Sequence, residues 1–334
     1  MGFEPIDTEH DDLIHDCSYD FYGQRLMTCS SDRSLKVFDY NDATHKWDLS
    51  DSWKCADGTI LKCVWAHPEH GQVVACASVD RTVRIFEEQE QEKKRSGKRW
   101  VERARLVDAR AAVHDIWFAP SHQGLRLASI AADGIVRIYE ALEPNNLSHW
   151  TLMDDFSVID TPVPKETEAS FCLTWCPSRF ATPTIVVGAM EKVRLYSQDN
   201  AGKWRPGVEI LHGGLVRDIS WAASMGRTYH LLATACKDGH VRIFKLQEKE
   251  VGDGAGSDME VIEEHQVWTY EKIGDFDDHK AQVWRVSFNV TGTILSSAGD
   301  DARIRLWKSA GGVNGARWGS VNIASMEKAS VMQE

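Results

Sequence analysis

One seven-residue pattern recurs six times and constrains this chain more than anything else in it. An Asp is followed, through an apolar–basic–apolar alternation, by an aromatic residue six positions later. The copies read Asp32-Arg-Ser-Leu-Lys-Val-Phe38, Asp80-Arg-Thr-Val-Arg-Ile-Phe86, Asp133-Gly-Ile-Val-Arg-Ile-Tyr139, Asp238-Gly-His-Val-Arg-Ile-Phe244 and Asp301-Ala-Arg-Ile-Arg-Leu-Trp307. The fourth in chain order, Met190-Glu-Lys-Val-Arg-Leu-Tyr196, has lost its Asp. Alternation of period two marks a strand, and the Asp with the small residues before it marks a tight turn leading in.

Each copy sits in a longer unit. Upstream lies a strand ending on Tyr19, Trp65, Phe118, Trp175, Trp221 or Phe288, between 19 and 23 residues before the partner aromatic. That interval holds strand, turn, strand, turn, strand. Downstream a further strand begins at Trp47, Trp100, Trp150, Trp204, Trp268 or Trp318. Four strands repeated six times predict an all-β, six-bladed β-propeller of the WD-repeat kind. The expected blades span 10–53, 54–108, 109–160, 161–211, 212–278 and 279–326, with an extension at 1–9 and a tail at 327–334. The pitch of about 54 residues exceeds the ~40–45 of ordinary WD blades. The surplus falls in outer connections: Glu87 to Arg99, Glu140 to His149, and Lys245 to Gln266. The last is acidic and poor in aromatics, which predicts a disordered insert at 245–266.

Composition closes off several functions. A net charge of −12 argues against nucleic-acid binding, which needs a basic face. No apolar run is long enough for a membrane span, and the first residues lack a signal-peptide pattern, so no membrane insertion is expected. The eight cysteines lie mostly in apolar strand segments, and only Cys172 and Cys176 are close in sequence. Reduced core thiols are expected, with no metal.

A recurring Asp invites a catalytic reading, but an active site needs a unique constellation and a scaffold needs repetition. No nucleophile elbow, phosphate-binding loop or His-Glu metal motif is present, so neither an enzyme nor a cofactor is expected. The turn aspartates Asp32, Asp80, Asp133, Asp238 and Asp301 are expected to accept backbone N–H groups. His10, His212 and His279, each lying before a first strand, are their candidate partners.

Strand order carries the functional expectation. All six outer strands follow their own inner three, so no strand is left to staple the last blade to the first. An open propeller would leave apolar blade faces free for a chain that supplies a strand or blade by β-addition. Candidate gap-facing residues are Leu26, Leu35 and Val37 in the first blade and Ile304, Leu306, Val321 and Ile323 in the sixth. Alternation licenses the set without fixing which face each residue occupies. The competing reading is a peptide-binding substrate receptor, which would need a concentrated Arg/Lys pocket.

Particular stretches go beyond the repeat. Asp11-Asp12-Leu13-Ile14-His15-Asp16 with Tyr19-Asp20-Phe21-Tyr22-Gly23, Ala141-Leu142-Glu143-Pro144, Trp175-Cys176-Pro177-Ser178-Arg179-Phe180 and Thr291-Gly292-Thr293-Ile294-Leu295-Ser296-Ser297 resemble the small WD-repeat nucleoporins of the nuclear pore Y complex, sisters of the COPII coat's small propeller. The likeness covers about His10 to Trp307. It implies a non-catalytic scaffold at the nuclear envelope, in nucleocytoplasmic protein and mRNA transport. Its propeller would be completed in trans by an α-helical solenoid nucleoporin among the other Y-complex nucleoporins. It also implies a second pool among SEA/GATOR subunits, a coat-like complex on the vacuolar or lysosomal membrane acting in TOR signalling.

Overall fold

The computed structural model describes residues 6–143, 146–161, 163–164, 167–248, 267–309 and 318–325. All regular structure there is strand, apart from two short 3-10 turns at Pro68–His70 and Ser121–Gln123. Six four-stranded antiparallel sheets form in sequence order, each strand hydrogen-bonded to its chain neighbour. Blade 1 is Ile14–Tyr19, Arg25–Ser30, Ser34–Asn41 and Lys46–Lys54, and blade 2 is Ile60–Trp65, Val73–Ser78, Val83–Glu88 and Trp100–Leu106. Blade 3 is Val113–Phe118, Arg126–Ala131, Ile135–Ala141 and Trp150–Ser157. Blade 4 is Phe171–Trp175, Thr184–Ala189, Lys192–Gln198 and Trp204–Leu211, and blade 5 is Val216–Trp221, His230–Cys236, Val241–Glu248 and Trp268–Phe276. Blade 6 is Val283–Phe288, Ile294–Gly299, Arg303–Ser309 and Trp318–Ser325. The expected first-strand aromatics end every first strand, and the expected tryptophans open the outer ones, with Trp47 second in its strand.

The chain divides into two compact units, residues 1–168 with blades 1 to 3 and 169–334 with blades 4 to 6. In the first unit, Leu35 and Val37 of blade 1 pack with Ile60 and Cys63 of blade 2, and Val83 and Ile85 pack with Val113 and Ile116 of blade 3. In the second, Val193 and Leu195 meet Val216 and Ile219, while Val241 and Ile243 meet Val283 and Val286. Each such side chain contributes roughly 1.5–3 kcal/mol of burial. Inner strands are also tied by polar bonds: Cys63 N–H donates to Asp16 Oδ2 at 3.3 Å, and Val286 N–H to Asp218 Oδ2 at 3.0 Å. Blade 4 approaches blade 5 so closely that a Cβ on Gly188 would lie 2.6 Å from Cys172 Sγ and 2.9 Å from Ile219 Cδ1.

Two sequence expectations shift. Lys245–Glu248 belongs to the third strand of blade 5, so the expected insert loses its first four residues; 249–266 lies outside the described residues, as does 326–334. Seven of the eight free cysteines are buried as expected, but Cys17 is exposed on the first strand.

Candidate partner-binding faces

The turn residues assemble as structure. In five blades a four-residue turn closes by an N–H to the carbonyl three residues back, from Arg33 to Ser30 at 3.2 Å, Arg81 to Ser78 at 3.2 Å, Gly134 to Ala131 at 2.9 Å, Gly239 to Cys236 at 3.2 Å and Ala302 to Gly299 at 3.2 Å. The closing residue is left-handed each time, with φ between 53° and 88°. That geometry suits the glycines of blades 3 and 5 and costs a side chain roughly 1 kcal/mol elsewhere. Blade 4 turns in two residues, Met190 and Glu191, between the paired Ala189 and Lys192, and its missing Asp belongs to that shorter turn.

The Asp carboxylates then organise the strand that follows. Asp32 accepts from Ser34 N–H at 2.8 Å and Asp11 N–H at 3.2 Å, and His10 bridges Asp32 at 2.7 Å and Thr28 at 2.9 Å. Burial would raise the Asp32 carboxyl, but the Ser34, His10 and backbone hydrogen bonds outweigh it and hold it far below the usual range. In blade 6, His279 joins Asp301 at 2.9 Å to Ser297 at 2.7 Å, and Trp307 Nε1 donates to the same Ser297 hydroxyl at 2.9 Å. His212 differs from expectation. It meets Thr234 at 2.9 Å and the Ile210 carbonyl at 3.3 Å, while Asp238 takes Arg242 at 2.6 Å. Burial first, then the Arg242 charge, push His212 down to about 4.

Sequence reasoning missed the arginines four residues after Asp80, Asp133, Asp238 and Asp301; after Asp32 the position is Lys36, whose Nζ donates to the Glu9 carbonyl. Arg84 reaches Asp80 at 3.1 Å, Arg137 reaches Asp133 at 2.7 Å, and Arg305 pairs with Asp301. The signal was available, since positions four apart in a strand share a face. Blade 4 has no turn Asp, and its equivalent Arg194 pairs with Glu209 on the outer strand instead. These networks consume the arginines of the repeat. Among the described residues no group of three or more His, Cys, Asp or Glu could hold a metal.

The partner candidates divide by face. The apolar residues three and five positions after the turn Asp point to the following blade wherever packing is resolved within a unit. Leu35 and Val37 therefore sit buried against blade 2 and are not a free surface. Leu26 lies on the opposite face from Met27 and Cys29, yet it is only 5 % exposed and is not free either. For Leu35 and Val37 the cause is the choice of face: alternation gives two, and the expectation took the one that meets blade 2, whereas Leu26 is buried on the other.

Blade 6 behaves otherwise. Ile304 is 39 % exposed and Leu306 36 %, although both hold positions that every other blade buries. Val321, 63 % exposed, occupies the outer-strand bulge where blade 5 packs Ile273 into its core. Ile323 pairs with Arg305 through its backbone, and its side chain lies outside the described residues. Not anticipated was the exposure of Leu13, Ile14, Tyr19, Phe21 and Tyr22 along blade 1, where other first strands are better covered.

Six four-stranded sheets, five of them carrying an Asp turn, with Ile304, Leu306 and Val321 exposed on the sixth, define a WD-repeat β-propeller. Consistent with this class, a family model described as "WD domain, G-beta repeat" matches residues 3–39 and 270–308. The chain is 47 % identical over 315 residues to nucleoporin seh1 of Schizosaccharomyces pombe, covering 91 % of each chain. It is 42 % identical to nucleoporin SEH1 of Saccharomyces cerevisiae, over 92 % of this chain and 95 % of that one. It is also 42 % identical to nucleoporin SEH1 of Homo sapiens, over 91 % and 84 %. The chain belongs to the SEH1 family of nucleoporins: non-enzymatic structural proteins of the nuclear pore complex at the nuclear envelope, associated there with other nucleoporins.

Proposed function

We propose that this chain is a Y-complex scaffold whose sixth blade receives a further blade from an α-helical solenoid nucleoporin. The observation that carries the reading is the exposure of Ile304, Leu306 and Val321 at positions built for blade-to-blade packing. A donated sheet would restore the burial found between blades 5 and 6. The resemblance extends the proposal to a SEA/GATOR complex at the vacuolar or lysosomal membrane, acting on TOR signalling, where a solenoid subunit would take the same face. The peptide-receptor reading is disfavoured because the repeat arginines are already paired with turn or outer-strand acids.

Light scattering behind size exclusion tests this with the chain co-expressed with the solenoid nucleoporin. A one-to-one complex is expected for the native chain. Leu306→Asp should weaken it at least ~10-fold without lowering the melting temperature of the free chain. Failure to form a complex, or equal affinity of the variant, would overturn the proposal.

A further inference from the structure

The connection after the third strand of blade 2 is an ordered strap laid against blade 1. Gln89 N–H donates to the Arg99 carbonyl at 2.7 Å, closing its base. At its tip, Arg95 N–H donates to Asp51 Oδ1 at 2.8 Å and to the Ser50 carbonyl at 3.1 Å, and Arg95 Nε donates to the Leu49 carbonyl at 3.0 Å. Lys94 Nζ lies 2.5 Å from Asp39 Oδ2. Burial raises the Asp39 carboxyl, but Lys94 and Arg25 more than offset it and hold it below its ordinary value. Two blade-1 carboxylates, Asp39 and Asp51, thus hold the strap over a cleft of about 610 Å³ that Asp42 and Asp48 also line.

The strap is the cationic exception in an acidic chain. Residues 93–99 read Lys-Lys-Arg-Ser-Gly-Lys-Arg. Ser96, alone among the serines of the chain, follows three consecutive cations. It is exposed, its hydroxyl accepts only a local bond from Lys98 N–H at 3.2 Å, and Arg95 and Gly97 on either side are left-handed at φ 61° and 68°. Lys93 and Lys98 are exposed beside it.

We propose that Ser96 is a phosphoacceptor for a basic-directed protein kinase, and that its phosphorylation releases the strap from blade 1. The γ-phosphoryl of ATP passes to Ser96 Oγ, the hydroxyl proton goes to the catalytic base of the kinase, and ADP leaves. The new group carries about −1.5 to −2 charges at pH 7. It sits next to Arg95 and two residues from Lys94, the residues that bind Asp51 and Asp39. It competes with Asp39 for the Lys94 ammonium and with the Leu49 carbonyl for the Arg95 guanidinium, and it repels the Asp39 and Asp51 carboxylates. The strap then detaches and the acidic cleft opens.

The test uses the full chain with ATP and the catalytic subunit of cAMP-dependent protein kinase, followed by peptide mass mapping and amide hydrogen exchange. One phosphate on Ser96 is expected, absent from Ser96→Ala, with the Arg95 amide exchanging at least ~10-fold faster in the phosphorylated chain. No incorporation at Ser96, or incorporation unchanged in Ser96→Ala, would overturn the site. Phosphorylation at Ser96 with unaltered Arg95 exchange would overturn strap release.

Discussion

Blades 5 and 6 are built from the same code and end in different circumstances. Both carry Asp, an apolar–basic–apolar strand and a terminal aromatic, so that Val241 matches Ile304, Ile243 matches Leu306 and Phe244 matches Trp307. Val241 and Ile243 are wholly buried because blade 6 lies on them; Ile304 and Leu306 are more than one-third exposed. The turns diverge too. Asp301 has both His279 and Arg305, whereas Asp238 has Arg242 and leaves His212 to Thr234 and a carbonyl. The difference teaches that the repeat prepares a surface for burial, and only a neighbour buries it.

That contrast yields its largest test in paired truncations. Ile243→Ala should cost roughly 2–5 kcal/mol in urea unfolding, while Leu306→Ala in the free chain should cost under about 1 kcal/mol. Equal losses would mean that the blade-6 face is covered in solution. The histidines sharpen the comparison through pH. His212 is held near 4, below its ordinary value of 6.5, so the unfolded chain binds more protons between those limits. Its contribution is full above about pH 6.5 and falls by up to about 3 kcal/mol as pH drops toward 4. His212→Gln should flatten that slope. His279→Gln should change it less, because Asp301 opposes the effect of burial there.

Next in size, Asp301→Ala should cost about 1–3 kcal/mol by thermal or urea unfolding, because it strands His279 and the buried Arg305. Partner binding through Leu306 should survive. Asp301 lies below its ordinary value, since hydrogen bonds from Arg305 and His279 outweigh burial; its share of stability is present above about pH 4 and is lost at lower pH. The smallest expected effect is a gain. Arg81→Gly relaxes a left-handed residue at φ 72° and should stabilise by about 0.5 kcal/mol, where the same change at an extended position would destabilise.

Strand ends and turns were readable because a strand's alternation and a turn's Asp are local properties. Tyr19, Trp65 and Trp221 end strands where spacing placed them, and Met190 marked the blade whose turn is one residue shorter. Which of the candidate residues are exposed was not readable: Ile304, Leu306 and Val321 are exposed, while Leu26, Leu35 and Val37 are buried. The strap also escaped notice, because a charged run reads as solvated until Asp39 and Asp51 come within reach of Lys94 and Arg95.

By itself, then, the sequence determined the blade: where each strand lies, which residues turn the chain, and that each sheet has two apolar faces. Tertiary structure alone decided which of the apolar residues are buried by the next blade and which are exposed. The physical reason is symmetry. A period-two pattern is unchanged when its two faces are exchanged, whereas burial is conferred by residues some 23 to 43 positions away, on the next blade.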